Sequence, residues 1–157
     1  MRLHLKDQKI RNEVLHEIPT SQEKVSGRKK YKPKLHLLVV DDDPLFLRMV
    51  HRAADREHIA VTECGSLGEV EAVAMPGVFD VAIVDYYLDG ISSNLKGPGI
   101  ADRLGSTPTI LVSQRQESIC EGDPWPDNVR FYLNKEVGTQ TLIDTALKYK
   151  KFLTGLA

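Results

Sequence analysis

From residue 35 onward the chain alternates between two hydrophobic patterns. LHLLVV (35–40), VAIVDY (81–86) and PTILVS (108–113) are short apolar runs, the mark of strands buried on both faces. IAVTEC (59–64) and FYLNK (131–135) read as two further strands. Between them PLFLRMVHRAADRE (44–57), SLGEVEAVAM (66–75) and TQTLIDTALKYKKFLTGL (139–156) read as helices, with a short helical stretch near GIADRL (99–104). Five strands alternating with about five helical segments predict an α/β domain, a doubly wound parallel sheet with helices on both faces. No internal repeat interrupts it.

Residues 1–34 do not share the alternation. Ile10, Val14 and Ile18 fall four apart with Leu15 beside them, so residues 7–18 predict one short amphipathic helix, ended by Pro19 and Thr20. SQEKVSGRKKYKPK then has no apolar period and reads as a linker. Charge separates the two parts. The extension holds ten Lys and Arg against four Asp and Glu, a surplus of six, and residues 35–157 hold the other 11 basic and 18 acidic residues, a deficit of seven. Such an arm is either drawn to an acidic surface or is a solvated linker. With 157 residues, 41% hydrophobic and 27% charged, the chain suits one soluble domain plus this extension. No apolar stretch approaches the roughly 20 residues of a membrane span and no signal-peptide core opens the chain, which predicts a cytoplasmic protein. Cys64 and Cys120 match no metal-ligand spacing.

In open parallel sheets, sites form beyond the carboxyl ends of the strands. Strand one ends in Asp41, Asp42 and Asp43, strand three in Asp85, strand four in Ser113 and strand five in Lys135. Carboxylates about 4 Å apart repel by roughly 4 kcal/mol at an effective dielectric near 20. A hard cation relieves that repulsion, and Mg²⁺ takes one or two carboxylates, waters and phosphate oxygens. A hydroxyl and an ammonium nearby suit a phosphoryl group, so the set points to phosphoryl transfer onto a carboxylate. Each residue also has an ordinary explanation. Asp43 precedes Pro44 and a helix, and is most simply an N-cap with proline at the first helical position. Asp41 and Asp42 suit a solvated turn, and Ser113 and Lys135 suit strand-end polarity.

LLVVDDDP, DVAIVDYYLDG, TPTILVS and FYLNK, in that order and at about these separations, resemble the receiver domain of bacterial response regulators (the CheY-like superfamily) over residues 35–157. The resemblance implies a flavodoxin-like fold with strand order 2-1-3-4-5. It implies that a sensor histidine kinase or histidine phosphotransfer protein donates a phosphoryl group to Asp85. Asp42 and Asp85 would hold Mg²⁺ directly, Asp41 through water, and the backbone carbonyl of Tyr87 would complete the protein ligands. Ser113 and Lys135 would take phosphoryl oxygens, and Tyr132 falls where the family places a rotating aromatic switch. Because no DNA-binding or catalytic effector follows the receiver pattern in this sequence, a single-domain regulator is expected, signalling to an unknown downstream protein by contact. No direct nucleic-acid binding is expected, and a homodimer stays open.

The chain also departs from that family. Lys135 is followed by Glu136 where a proline is usual, so a trans peptide is expected and the lysine lacks the proline that would aim it. Gln114 is bulkier than the usual small residue, and Tyr87 and Arg115 occupy the flanking positions that tune hydrolysis, which predicts slow loss of phosphate. ISSNLKGPG (91–99) is a long connection, a candidate lid or a tolerated insertion. Pro124, Trp125 and Pro126 fall where a fourth helix should run, with Trp125 a candidate exposed anchor. Two alternatives follow. The chain is a phosphorylation-independent receiver-like adaptor, or it resembles haloacid-dehalogenase-type phosphatases, with Asp41 as nucleophile and Asp43 as acid/base.

Overall fold

In the computed structural model the apolar runs become five strands of a single sheet: β1 (His36–Val40), β2 (Ala60–Cys64), β3 (Val81–Asp85), β4 (Thr109–Ser113) and β5 (Val129–Asn134). The structure describes residues 31–88, 96–114, 125–153 and 155. Four α-helices alternate with the strands among the described residues: α1 (Pro44–Arg56), α2 (Leu67–Val73), α3 (Gly97–Arg103) and α4 (Thr139–Leu153). Every strand pair is parallel and the order is β2-β1-β3-β4-β5, the flavodoxin-like arrangement expected. The chain divides into two units, Met1–Lys32 and Pro33–Ala157. The helix expected over residues 7–18 lies outside the described residues.

Strand alternation sorts the core into two layers. Leu37, Val39, Ile83, Ile110 and Val112 point to one face, where Phe46, Val50, Ala53 and Ala54 of α1 and Leu142, Ile143 and Ala146 of α4 cover them. Leu38, Val40, Ala82, Val84 and Leu111 point to the other, under Val70 of α2 and Ile100 of α3. Burial on both faces is why β1, β3 and β4 read as unbroken apolar runs. β5 is an edge strand and only half-buried, which is why its sequence signal is weaker.

The helix starts carry their own chemistry. Asp43 is the N-cap of α1, its Oδ1 accepting from the backbone N–H of Leu45 at 2.9 Å, with Pro44 in the first turn. Ser66 caps α2, accepting from the N–H of Glu69, while Glu69 Oε2 accepts from the N–H of Gly65 at 2.6 Å. α2 ends at Val73, two residues before the expected Met75, because Ala74 leaves helical geometry ahead of Pro76. Most of the connection after Leu88 and the stretch 115–124, including Arg115 and Pro124, lie outside the described residues. No helix among the described residues is long and apolar enough to cross a membrane.

Candidate functional site

Register brings the strand-end residues together. Val40 pairs with Val84, so Asp41 follows beside Asp85; Asp85 pairs with Val112, and Ser113 with Asn134, so Ser113 and Lys135 follow on the next strands. A cavity of about 190 Å³ at these strand ends is lined by Asp41, Asp42, Asp43, Asp85, Tyr87, Ser113, Gln114 and Lys135. All six residues read from the strand ends therefore meet at one place.

The carboxylates differ in surroundings. Asp41 is fully buried; its Oδ1 accepts from the N–H of Asp43 at 2.8 Å. Asp85 is 6% exposed, and its Oδ1 accepts from the N–H of Tyr87 at 3.3 Å. Asp42 is exposed at the rim. Oxygens of Asp41, Asp42 and Asp85 all lie within 4.8 Å of one another. Burial pushes the Asp85 carboxyl up to about 6, with the Asp41 charge adding to the shift and Lys135 opposing it. Burial raises Asp41 in the same direction, against its contact with Lys135.

Lys135 answers the question its neighbour Glu136 raises. No cis peptide occurs among the described residues, yet the ammonium reaches the site. Nζ lies 2.6 Å from Asp41 Oδ2 and 3.2 Å from Asp85 Oδ2, and the side chain is 8% exposed. The contact with Asp85 is a hydrogen bond, and the shorter one with Asp41 is an ion pair that also holds the ammonium. Burial pulls the ammonium down, but the two carboxylates outweigh it and hold it above its usual value. A short 3₁₀ turn, Lys135–Val137, replaces the usual proline: Asn134 Oδ1 accepts from the N–H of Glu136 at 2.8 Å and fixes where the lysine leaves the sheet. Glu136 forms no ion pair with Lys135.

The remaining candidates sit around this centre. Ser113 is fully buried at the end of β4, while Gln114 is exposed beside it. The Tyr87 ring is half-buried, edge-on to Tyr86 with ring centroids 4.8 Å apart. Tyr132 is half-buried against the second core layer, and its buried hydroxyl has no hydrogen-bond partner among the described residues. Trp125, expected as an exposed anchor, is instead half-buried against the same layer, 6.0 Å from the Tyr132 ring. Its ring lays apolar area against that layer, and its indole N–H has no hydrogen-bond partner among the described residues.

No protein-family model matches the chain, and no curated protein does. Its fold is nevertheless similar to solved structures. A response regulator receiver domain protein from Methanospirillum hungatei superposes with a TM-score of 0.62 at 18% identity, over 78% of this chain and 98% of that one. The receiver domain of a Francisella response regulator gives 0.59 at 19% identity, over 76% and 98%. The signal receiver domain of an HD domain-containing protein from Pseudomonas fluorescens gives 0.57 at 19% identity, over 76% and 97%. The chain has the receiver-domain fold.

Within the receiver fold, two further residues contribute at this site that were not among those read from the sequence. Gly97 opens α3 against the backbone that follows Asp85: its N–H donates to the carbonyl of Tyr86 at 2.9 Å, and a Cβ there would stand 2.6 Å from the carbonyl oxygen of Asp85. The ring of Phe46 lies under Lys135, with Nζ 4.3 Å from its centroid. Only an unusual run of glycines around Pro98 could have pointed to the first, and nothing to the second. As for a metal, an all-oxygen set of three clustered carboxylates, two of them buried, fits a hard divalent cation. Asp43 is not part of that set, because its Oδ1 is engaged as a helix cap.

Proposed function

We propose that this chain is a response regulator of a two-component system, accepting a phosphoryl group on Asp85 from the phosphohistidine of a sensor kinase or phosphotransfer protein. One observation carries the reading: Asp85, almost fully buried, opens with Ser113 onto the same small cavity and accepts a hydrogen bond from Lys135 Nζ at 3.2 Å. A carboxylate held like this is a poor structural element and a well-placed nucleophile. Its oxygen attacks phosphorus, the new O–P bond forms as the donor's P–N bond breaks, and the imidazole leaves. Lys135 takes one developing phosphoryl charge, and the Ser113 hydroxyl takes another oxygen.

Asp41, Asp42 and Asp85, with the backbone carbonyl of Tyr87, would hold Mg²⁺. That ion, when bound, neutralises carboxylate and phosphoryl charge. The engagement of Asp43 in the helix cap speaks against the phosphatase alternative, which needs it as a free acid/base. Output is by protein contact in the cytoplasm, through the surface around Tyr132, whose ring the phosphoryl group would influence through Ser113 and its loop.

Incubation with Mg²⁺ and acetyl phosphate tests this. The expected product is an acid-stable, base-labile adduct on Asp85 that Asp85→Asn abolishes. A chain that never labels is an adaptor, and label at Asp41 instead would mark a phosphatase.

A further inference from the structure

We propose that Phe46 is a positioning residue for Lys135, holding its ammonium over the active carboxylates by a cation–π contact that replaces the usual proline-directed aim. The inference deepens the phosphoacceptor reading of the same site and rests on it for its kinetic arm alone.

Phe46 belongs to α1, not to the strand that carries the lysine. Asp43 caps that helix and Pro44 begins it, which puts Phe46 in the first turn, at the end of the sheet where Lys135 emerges. The ring is 7% exposed and packed in the first core layer, so it cannot swing away. Nζ stands 4.3 Å from the ring centroid, within the roughly 6 Å over which an aromatic face attracts a cation. A lysine that is 8% exposed has lost most of its water on every side. Its charge needs partners: the Asp41 and Asp85 carboxylates stand 2.6 and 3.2 Å from Nζ, and the negative face of the ring is a third neighbour.

The ring matters because the other two partners are not permanent. Asp41 and Asp85 are also the carboxylates that a divalent cation would claim, and each charge neutralised there weakens their hold on the lysine. A ring face binds an ammonium but offers nothing to a hard metal. Phe46 is thus the partner that keeps Nζ in place when the carboxylates are engaged elsewhere. A trans peptide before Glu136 leaves the stem of Lys135 with no constraint beyond the short 3₁₀ turn, which makes a second anchor necessary.

The test compares Phe46→Leu, which keeps an apolar side chain without a ring face, with Phe46→Tyr, which keeps the face. Protein carrying ¹³C-labelled lysine reports the contact directly. In the parent the Lys135 ε-methylene protons should resonate upfield of the other lysines through the ring current, assigned by their loss in Lys135→Met. Phe46→Leu should move them back among the others, and Phe46→Tyr should not. In the second arm, labelling of Asp85 by acetyl phosphate with Mg²⁺ should slow about tenfold in Phe46→Leu and recover in Phe46→Tyr, as a desolvated contact of this kind predicts. In a Lys135→Met background the Phe46→Leu change should have no further effect. An unshifted Lys135 resonance in the parent, or equal slowing by Phe46→Leu with and without the lysine, would overturn the proposal. If the parent never labels while the resonance behaves as expected, the positioning contact stands and the phosphoacceptor reading falls.

Discussion

Nζ of Lys135 lies closer to Asp41, at 2.6 Å, than to Asp85, at 3.2 Å, so the lysine of this site is first of all the counter-charge of a fully buried carboxylate. Removing it leaves two buried carboxylates facing each other. Lys135→Met should destabilise the metal-free protein at pH 7 by about 3 kcal/mol, the scale on which a buried pair loses one partner. Added Mg²⁺ should restore part of that loss, since it supplies the missing positive charge. Thermal melts of the variant with and without Mg²⁺ check both halves, and a variant as stable as the parent would mean that the ion pair is neutral in balance.

The carboxylates themselves make a pH prediction. Asp85 is raised from its usual 3.8 to about 6 by burial and by the Asp41 charge. Between those values the folded, metal-free protein binds more protons than the unfolded chain, so stability falls as pH rises. This contribution is full below about pH 4 and is lost as pH climbs through about 6, and Asp41 shifts in the same direction. Asp85→Asn removes the charge, and should therefore stabilise the metal-free protein at pH 7 by roughly 1–3 kcal/mol while flattening the dependence between pH 4 and 7. Denaturant titrations across that range, in chelator, read the slope. A parent that gains stability over the same rise in pH would contradict it.

Asp41, Asp42, Asp85, Ser113 and Lys135 were legible because each ends a short run that a parallel sheet must bury, and because the ends of parallel strands share one edge. The role of Asp43 followed from the same kind of local rule, whereas the sheet order came from the resemblance to receiver domains. What the pattern could not carry were contacts between elements distant in sequence. Phe46 is an apolar residue on the inner face of a helix, like Val50 one turn further on, and nothing local distinguishes a ring that holds a cation from one that fills space. Trp125 sits between prolines, where local rules predict exposure, and only the shape of the second core layer decides that it folds down. The outcome for Lys135 has a similar cause: the missing proline was visible, while the 3₁₀ turn and Asn134 cap that take its place depend on where β5 leaves the sheet.

Gly97 carries a prediction of its own. A Cβ at this position would meet the Asp85 carbonyl oxygen at 2.6 Å and Cα of Tyr86 at 2.8 Å, both backbone atoms that cannot rotate aside. In an exposed helix alanine would be the better helix former. Here Gly97→Ala should instead cost roughly 1–3 kcal/mol, as overpacking does, and shift the backbone that carries Asp85. A lower melting temperature together with slower labelling by acetyl phosphate is expected. A stabilised protein would show that α3 is free to move away from β3.

The three consecutive aspartates should separate cleanly by substitution. Asp42 lies within 4.8 Å of Asp41 and Asp85 and faces solvent, where a hydrated cation arrives. Asp43 points its carboxylate back at the N–H of Leu45. Asp42→Asn should abolish the Mg²⁺-dependent rise in melting temperature. Asp43→Ser keeps a good cap and should leave that rise almost unchanged, whereas Asp43→Ala should lower stability by about 1 kcal/mol without touching metal affinity. Loss of Mg²⁺ binding in Asp43→Ser would move the third carboxylate into the metal site.

Bulk at the mouth of the cavity bears on how long a phosphoryl group would survive. Gln114 and Tyr87 both line the space in front of Asp85, and the Tyr87 ring is braced edge-on against Tyr86, which limits its freedom to swing away. Hydrolysis needs a water in line with the bond between phosphorus and the Asp85 oxygen, and two large side chains at the entrance obstruct that approach. The parent should therefore lose phosphate slowly. The combined change Gln114→Ala and Tyr87→Asn opens the line and should speed dephosphorylation at least several-fold, followed as decay of the base-labile adduct after acetyl phosphate is removed. Gln114→Ala alone should also label faster, because the same side chain stands in the path of the incoming donor. Unchanged decay in the double variant would move the control of phosphate lifetime from steric access to the charges of Asp41, Asp85 and Lys135.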